Sequence, residues 1–218
     1  MEKAGILIVV SKSLIKIKIS TLSQQSGLQF TANSRMGNQI IAADGSVKML
    51  WPCLSVIGAQ TLCYTYCQIK KDNSYIDVMW GLTFIIPNML ILGAKLALKQ
   101  PIDARTWALN GCLSLWAVRL AWHIGKRHTE EDYRYQSIRK RLSQKGQLCY
   151  YIQAFFYIFM LQAVLSLGVN YTVMRTTAMS SQQTFAAGGN AFSSFKWSDY
   201  VGFSAFLVGF LFEVVGDA

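Results

Sequence analysis

The chain is built from five long apolar blocks that are separated by polar connections. The blocks cover residues 47–67, 76–98, 104–124, 148–174 and 200–218. Each is about 19–27 residues long, which is enough for a helix to cross a hydrocarbon core of about 30 Å. Inside a bilayer a helix satisfies its own backbone hydrogen bonds. The pattern therefore predicts an all-α protein, a polytopic transmembrane helix bundle with about five spanning helices.

The 218 residues leave room for one membrane domain, which we place at residues 46–218. Charged residues make up 15% of the chain, against about 25% in an average soluble domain. Residues 1–45 form a polar tail rich in Ser, Gln and Asn, which we predict to be disordered. A transit peptide is the alternative, although Arg35 is the only arginine in the tail.

The net charge of +10 comes mostly from Lys and Arg residues that flank the apolar blocks. This distribution is typical of loops retained in the cytoplasm, so residues 125–147 and the connection with Lys70 and Lys71 are predicted to be cytoplasmic. The membrane bilayer is the expected partner, and nucleic-acid binding is disfavoured. No metal site is expected: Cys63 and Cys67 share a helix face, but a metal needs more ligands, and neither His123 nor His128 lies near them in sequence.

Several ionisable residues stand inside the blocks, where a charge is costly and often marks a site or a polar cavity. Asp77, Arg119, Glu213 and Asp217 all fall at the cytoplasmic ends of their helices if the helices alternate in direction. They predict a polar cavity that opens to the cytoplasm, with structural ion pairs as the alternative. Lys95 lies near the opposite end, where its side chain is expected to snorkel to the interface.

These charged residues belong to three motifs in a fixed order. An Asp-x-x-Trp element is followed by Leu-Trp-x-x-Arg-Leu, an Arg and Asp-x-Arg-Tyr, and then by Glu-x-x-x-Asp. The motif positions are held by Asp77, Trp80, Arg119, Arg127, Asp132, Arg134, Tyr135, Glu213 and Asp217. The combination resembles a membrane family related to steroid 5-alpha-reductases and long catalogued as a domain of unknown function. The resemblance covers roughly residues 74–218, and each motif is weak alone.

The resemblance implies a membrane reductase that transfers a hydride from NADPH to a carbon–carbon double bond of a lipid, sterol-like or acyl. By the same resemblance, the candidate catalytic residues are Glu213, Asp217 and Tyr135. The candidate cofactor-binding residues are Arg119, Arg127, Arg134, Asp77 and Trp80. For the three arginines, contact with cofactor phosphates and pairing within the loops both remain open. The endoplasmic reticulum is the expected location, with a mitochondrial or plastid address open.

The sequence departs from the family pattern at its C-terminal end. In the family the Glu-x-x-x-Asp element is followed by an Asn/Gly-rich stretch, a Gly-Leu-Trp segment and an Arg-His-Pro-Asn-Tyr motif, which supply much of the cofactor site. This sequence stops at Ala218. We therefore expect a fragment, part of a larger bundle, that binds NADPH incompletely and is inactive as given.

Two other functions stay open. A membrane methyltransferase of the isoprenylcysteine type shares the related fold, although the Asp-x-x-Trp and Asp-x-Arg-Tyr motifs favour the reductase. A non-catalytic membrane scaffold is the second alternative. The fold class does not identify the lipid substrate or the oligomeric state.

Overall fold

A computed structural model describes residues 40–41, 46–179 and 195–217. Its helices are α1 (Leu50–Lys70), α2 (Tyr75–Ala97), α3 (Ala104–Arg127), α4 (Tyr133–Ser143), α5 (Gln147–Ala178) and α6 (Trp197–Gly216). The all-α prediction is confirmed for this part of the chain, and five of the helices match the apolar blocks to within a few residues. The prediction of a disordered tail falls almost wholly outside the described residues.

Three of these helices are long and apolar enough to cross a membrane: α2 with 23 residues, α5 with 32 and α6 with 20. The protein is therefore an integral, multi-pass membrane protein. The helices α1 and α3 are as long, but polar side chains such as Gln60 lower the mean hydropathy of α1, and Asn110 and Arg119 lower that of α3.

The centre of the bundle is α2, which packs against α1, α3 and the second half of α5. Its contact with α3 depends on a glycine. A Cβ atom at Gly81 would lie 2.6 Å from the carbonyl oxygen of Ala117 and 3.2 Å from the backbone nitrogen of Ala121. The missing side chain lets the two backbones approach closely, as small residues do between membrane helices.

Helix α4 lies within the basic connection that the apolar pattern presented as a loop. The Asp132 side chain caps it by accepting a hydrogen bond of 2.8 Å from the backbone N–H of Arg134. Tyr135 and Leu142 are buried and join a core cluster with Tyr150 of α5. The helix is short and highly charged, so it carries no membrane-span signal, and its two buried residues fix it to the bundle.

Helix α5 contains a π-helical turn over Phe155–Met160. Such a turn adds about one residue to the helix and rotates everything after it by one position. The rotation decides which side chains of the following segment face the bundle.

The expectation that Lys95 snorkels to the interface is wrong. Its side chain is fully buried, and its Nζ donates a hydrogen bond of 2.5 Å to the backbone carbonyl of Met179, just beyond α5. Carbonyl groups at a helix end have no partner within the helix, so they offer a buried ammonium a ready acceptor.

Replacing Gly81 with Ala should push α2 and α3 apart and lower stability, because overpacking at a tight contact costs about 1–3 kcal/mol. Gly93 of the same helix has open space around it, so Gly93→Ala is the matched control and should be neutral or stabilising. Thermal unfolding of both variants in detergent tests this. An unfolding temperature for Gly81→Ala equal to that of Gly93→Ala would contradict the close-contact argument.

Candidate functional site

The candidate residues gather at the end of the bundle where α1 and α3 finish and α2 begins, which we call the basic end. Arg119 of α3 is the centre of one cluster there. Its guanidinium donates hydrogen bonds to the carboxylates of Glu213 and Asp217 and, at 3.0 Å, to the backbone carbonyl of Glu213. The indole Nε1 of Trp116 donates to the second carboxylate oxygen of Glu213 at 3.0 Å. Both oxygens of Glu213 are therefore engaged.

This cluster holds α6 in place. No residue of α6 is buried within the described part of the protein, so apolar packing does little to position the helix. Its far end is held by a second ion pair, in which Arg105 contacts Asp199 at 2.9 Å. The position of α6 thus depends on charged contacts at both ends.

A second cluster joins α4 to the first turn of α2. Asp77 accepts hydrogen bonds from the Tyr135 hydroxyl at 2.7 Å and from Arg134 at 3.3 Å. Arg134 also makes two bonds, of 3.0 and 3.1 Å, to the carboxylate of Asp132. The backbone N–H of Asp132 donates to the Ser74 hydroxyl at 2.7 Å. The two acidic residues engage Nε and Nη2 of Arg134, although 57% of its side chain remains exposed.

These contacts shift the protonation of the α4 residues. Hydrogen bonds from Arg134 lower the pKa of Asp132, and the same contacts raise the pKa of Arg134. Burial, with the hydrogen bond to Asp77, raises the pKa of Tyr135 well above its usual value. At neutral pH, Tyr135 is therefore a protonated phenol that donates to Asp77.

The connection between α1 and α2 and the connection between α3 and α4 carry contacts that the motifs did not indicate. His128 lies 2.9 Å from Asp72, and Glu131 accepts a hydrogen bond of 2.6 Å from Arg139. Asn73 donates to the Tyr150 hydroxyl at 3.0 Å. The first and third connections are thus tied to each other and to α5. The one signal in the sequence was that an alternating helix order places both connections on the same side.

A cavity of about 630 Å³ borders the cluster around Asp77 and the end of α3, and we call it the polar pocket. Asp77, Trp80, Arg127 and Arg134, four of the five candidate cofactor-binding residues, line it. Arg127 is exposed, and its one contact within the described ranges is with His123 Nε2, at 3.2 Å. Arg127 is therefore the arginine of the pocket with an available guanidinium.

A second cavity, of about 610 Å³, lies between α3, the end of α5 and α6, and we call it the apolar groove. Its walls are largely aromatic and aliphatic, with Trp116 and Glu213 at the basic end and Arg105 and Asp199 at the other. Edge-to-face contacts from Trp80 to Phe84 and from Phe84 to Trp116, each with ring centroids 5.3 Å apart, connect the pocket wall to the groove wall.

The other candidate residues take separate places. Arg119 lines neither cavity, and its partner Asp217 lies 3.7 Å from His123 Nε2 of the pocket wall. Tyr135 contacts Asp77 but lines neither cavity. Sequence reasoning missed His123 and Gln162 as pocket residues and Trp116 as the indole that contacts Glu213.

The fold and the site define a multi-pass helical membrane protein with a charged cavity at the basic end and an apolar groove that runs between α3, α5 and α6. The family model described as protein of unknown function (DUF1295) matches residues 63–218. The chain therefore belongs to the DUF1295 family. No curated protein and no solved structure matches the chain.

Replacing Arg119 with Gln should release α6, because Glu213 and Asp217 lose the cation that they pair with. No residue of α6 is buried in the described part of the protein, so packing does not substitute for the lost ion pairs. Spin labels at the exposed positions 118 and 211 report the α3–α6 distance, which should lengthen and broaden. Arg105→Gln, at the far end of α6, is the control and should leave this end in place. An unchanged distance distribution in Arg119→Gln would show that packing, not charge, docks α6.

Tyr135 also predicts a pH dependence. Its pKa is raised in the folded protein, so the phenol ionises first in unfolded chains. Its contribution is complete below about pH 10, the unfolded value, and falls as the pH rises above it. We expect Tyr135→Phe to be destabilised at pH 8 relative to the parent, with the gap narrowing by pH 11.

Tyr133→Phe, an exposed neighbour, is the control for the Tyr135 measurement and should match the parent throughout. Thermal unfolding in detergent at pH 8–11 measures both variants. A gap between Tyr135→Phe and the parent that stays constant with pH would exclude the proposed ionisation effect.

Proposed function

We propose that this protein is a membrane-bound, NADPH-dependent reductase of a carbon–carbon double bond in a lipid. The observation that carries the proposal is the adjacency of two unlike cavities. A polar pocket with an available arginine suits a phosphate-bearing cofactor, and an apolar groove suits a lipid chain. Trp116 and Glu213 stand where the groove approaches the pocket.

Among the three arginines, Arg127 is the one we assign to cofactor phosphate. A guanidinium binds phosphate through a fork of two hydrogen bonds, which needs a free edge. Carboxylates occupy Nη1 and Nη2 of Arg119 and the Nε–Nη2 edge of Arg134. Arg127 has only a neighbouring imidazole within the described part of the protein. We therefore assign Arg119 and Arg134 to positioning and Arg127 to binding.

When bound, NADPH supplies the hydride. The proton that reaches the other alkene carbon comes from water. Of the candidate catalytic residues Glu213, Asp217 and Tyr135, only Glu213 lines the groove. Both of its oxygens accept hydrogen bonds, from Trp116 and Arg119, so it carries no proton of its own and we assign it to orienting these two side chains at the end of the groove. Asp217 then positions Arg119, and Tyr135 positions Asp77.

We further propose that α1 and α3 also span the bilayer, which gives five spans, and that the basic end faces the cytoplasm. Large apolar side chains such as Leu62 and Trp122 are more than 70% exposed on these two helices, as lipid-facing side chains are. The connections at the basic end carry more Lys and Arg residues than acidic residues, and such an excess favours the cytoplasmic side. The endoplasmic reticulum is the proposed membrane.

Replacing Arg127 with Gln should weaken NADPH binding by about ten- to a hundredfold, the usual loss for a hydrogen bond to a charged group. Binding to the purified chain in detergent is measured by cofactor fluorescence. Lys126→Gln removes an equal charge at the adjacent exposed position, outside the pocket wall, and is the matched control. Equal losses in the two variants would reduce the effect to net charge and contradict the assignment.

The same preparation separates the alternative functions. NADPH should raise the unfolding temperature of the parent chain, and S-adenosylmethionine should not. Protection by S-adenosylmethionine alone would favour the methyltransferase. Protection by neither ligand would favour the non-catalytic scaffold, in which the motif arginines serve to hold the helices in place.

A further inference from the structure

His123 of α3 lines the polar pocket and lies between a cation and a carboxylate. Its Nε2 atom is 3.2 Å from Nη1 of Arg127 and 3.7 Å from Oδ1 of Asp217. The other carboxylate oxygen of Asp217 accepts from Arg119, so Oδ1 is the oxygen nearer to the imidazole. One nitrogen therefore has two partners, of which the guanidinium only donates hydrogen bonds and the carboxylate only accepts them.

These two partners need different protonation states of the imidazole. An N–H of Arg127 can donate to Nε2 only while that nitrogen carries no proton. The carboxylate of Asp217 can pair with Nε2 only when the nitrogen is protonated. A histidine gains or loses its proton between about pH 5 and 8, so both states are within reach near neutral pH. The contact with Arg127 is the shorter one, and the geometry therefore corresponds to a neutral His123.

The other charged groups around the pocket have partners of their own or lie at its exposed rim. Arg134 pairs with Asp77 and Asp132, and His128 pairs with Asp72. Helix α5 contributes only the uncharged side chains of Gln162 and Leu165 to the wall. The titratable or charged wall residues besides His123 are Asp77 of α2, Arg127 of α3, His128, exposed Glu130 and Asp132 of the next connection, and Arg134 of α4. Across the described ranges, the charges in contact with the imidazole are thus Arg127 and, from α6, Asp217.

We propose that His123 is a further binding residue of the pocket, which takes up a proton from solvent when a phosphate group binds at Arg127 and then pairs with Asp217. The phosphate oxygens are stronger acceptors for the Arg127 N–H groups than an imidazole nitrogen is, so they draw the guanidinium away from Nε2. The negative charge of the phosphate also favours the imidazolium. This inference rests on the proposed NADPH function, because the phosphate is that of the cofactor.

Proton uptake is measured by titrating the purified full chain with NADP⁺ in a non-ionic detergent at pH 7.5, by calorimetry in two buffers of different ionisation enthalpy. The parent should take up about half a proton more per NADP⁺ bound than His123→Gln. Comparing the two proteins removes the protons that the 2′-phosphate of the probe exchanges, since a phosphate monoester itself titrates near neutral pH. His128→Gln is the matched control: its imidazole lines the same pocket but pairs with Asp72, so this variant should show the uptake of the parent.

The protonation of His123 is also observed directly. The chain contains two histidines, so protein labelled with ¹⁵N-histidine and purified without a histidine tag gives two sets of imidazole signals. In His128→Gln the remaining set belongs to His123. Addition of NADP⁺ should move it from the neutral to the protonated position. Because a proton taken up on binding is harder to obtain at high pH, the affinity of the parent for NADP⁺ should fall about fivefold more than that of His123→Gln between pH 6.5 and 8.5.

The outcomes separate this inference from the proposed function. If the parent and His123→Gln bind NADP⁺ with equal proton uptake, the role of His123 is overturned while the cofactor proposal stands. If the parent does not bind NADP⁺, both are overturned. Should His123→Gln fail to fold or to bind, the imidazole signal of His123 still decides, because a signal that stays at the neutral position in the NADP⁺ complex overturns the inference.

Discussion

The pairing of Arg119 with Glu213 and Asp217 determines where the last described helix lies. Removing one partner of an ion pair destabilises a protein more the more deeply the remaining charge is buried, and only 17% of the Arg119 side chain is exposed. Helix α6 buries no residue among those described, so these charged contacts outweigh packing. The apolar groove exists because α6 is held at both ends rather than packed along its length. Arg119 therefore shapes the groove without lining it.

The polar pocket depends in turn on how closely α2 and α3 approach. Gly81 lets their backbones touch, and this contact sets Asp77 and Trp80 of one helix opposite His123 and Arg127 of the other. The bonds from Tyr135 and Arg134 to Asp77 then place α4 beside the pocket. The carboxylate of Asp77, at the start of α2, thus holds the positively charged helix α4 in place.

Much of this arrangement follows from the sequence, because long apolar blocks fix the helices and their alternating direction fixes which charges share an end. Other features do not follow. Helix α4 is short and charged, so hydropathy does not reveal it. Lys95 is buried because a helix-end carbonyl accepts from it, a contact no pattern encodes. Gln162 lines the pocket because of a π-helical turn in an unbroken apolar block, where spacing alone indicates nothing.

The motif arginines show why residue identity alone does not assign a role. Arg119, Arg127 and Arg134 carry the same guanidinium group and lie at the same end of the bundle, yet within the described part of the chain two are paired with carboxylates and one is not. A cation that already stabilises the fold cannot turn to a ligand without releasing its partner, which would free α6 or α4. A cation outside the ion pairs can bind and release an anion at no such cost. In this protein, the residues that hold the cavities open and the residue assigned to the ligand are therefore different arginines.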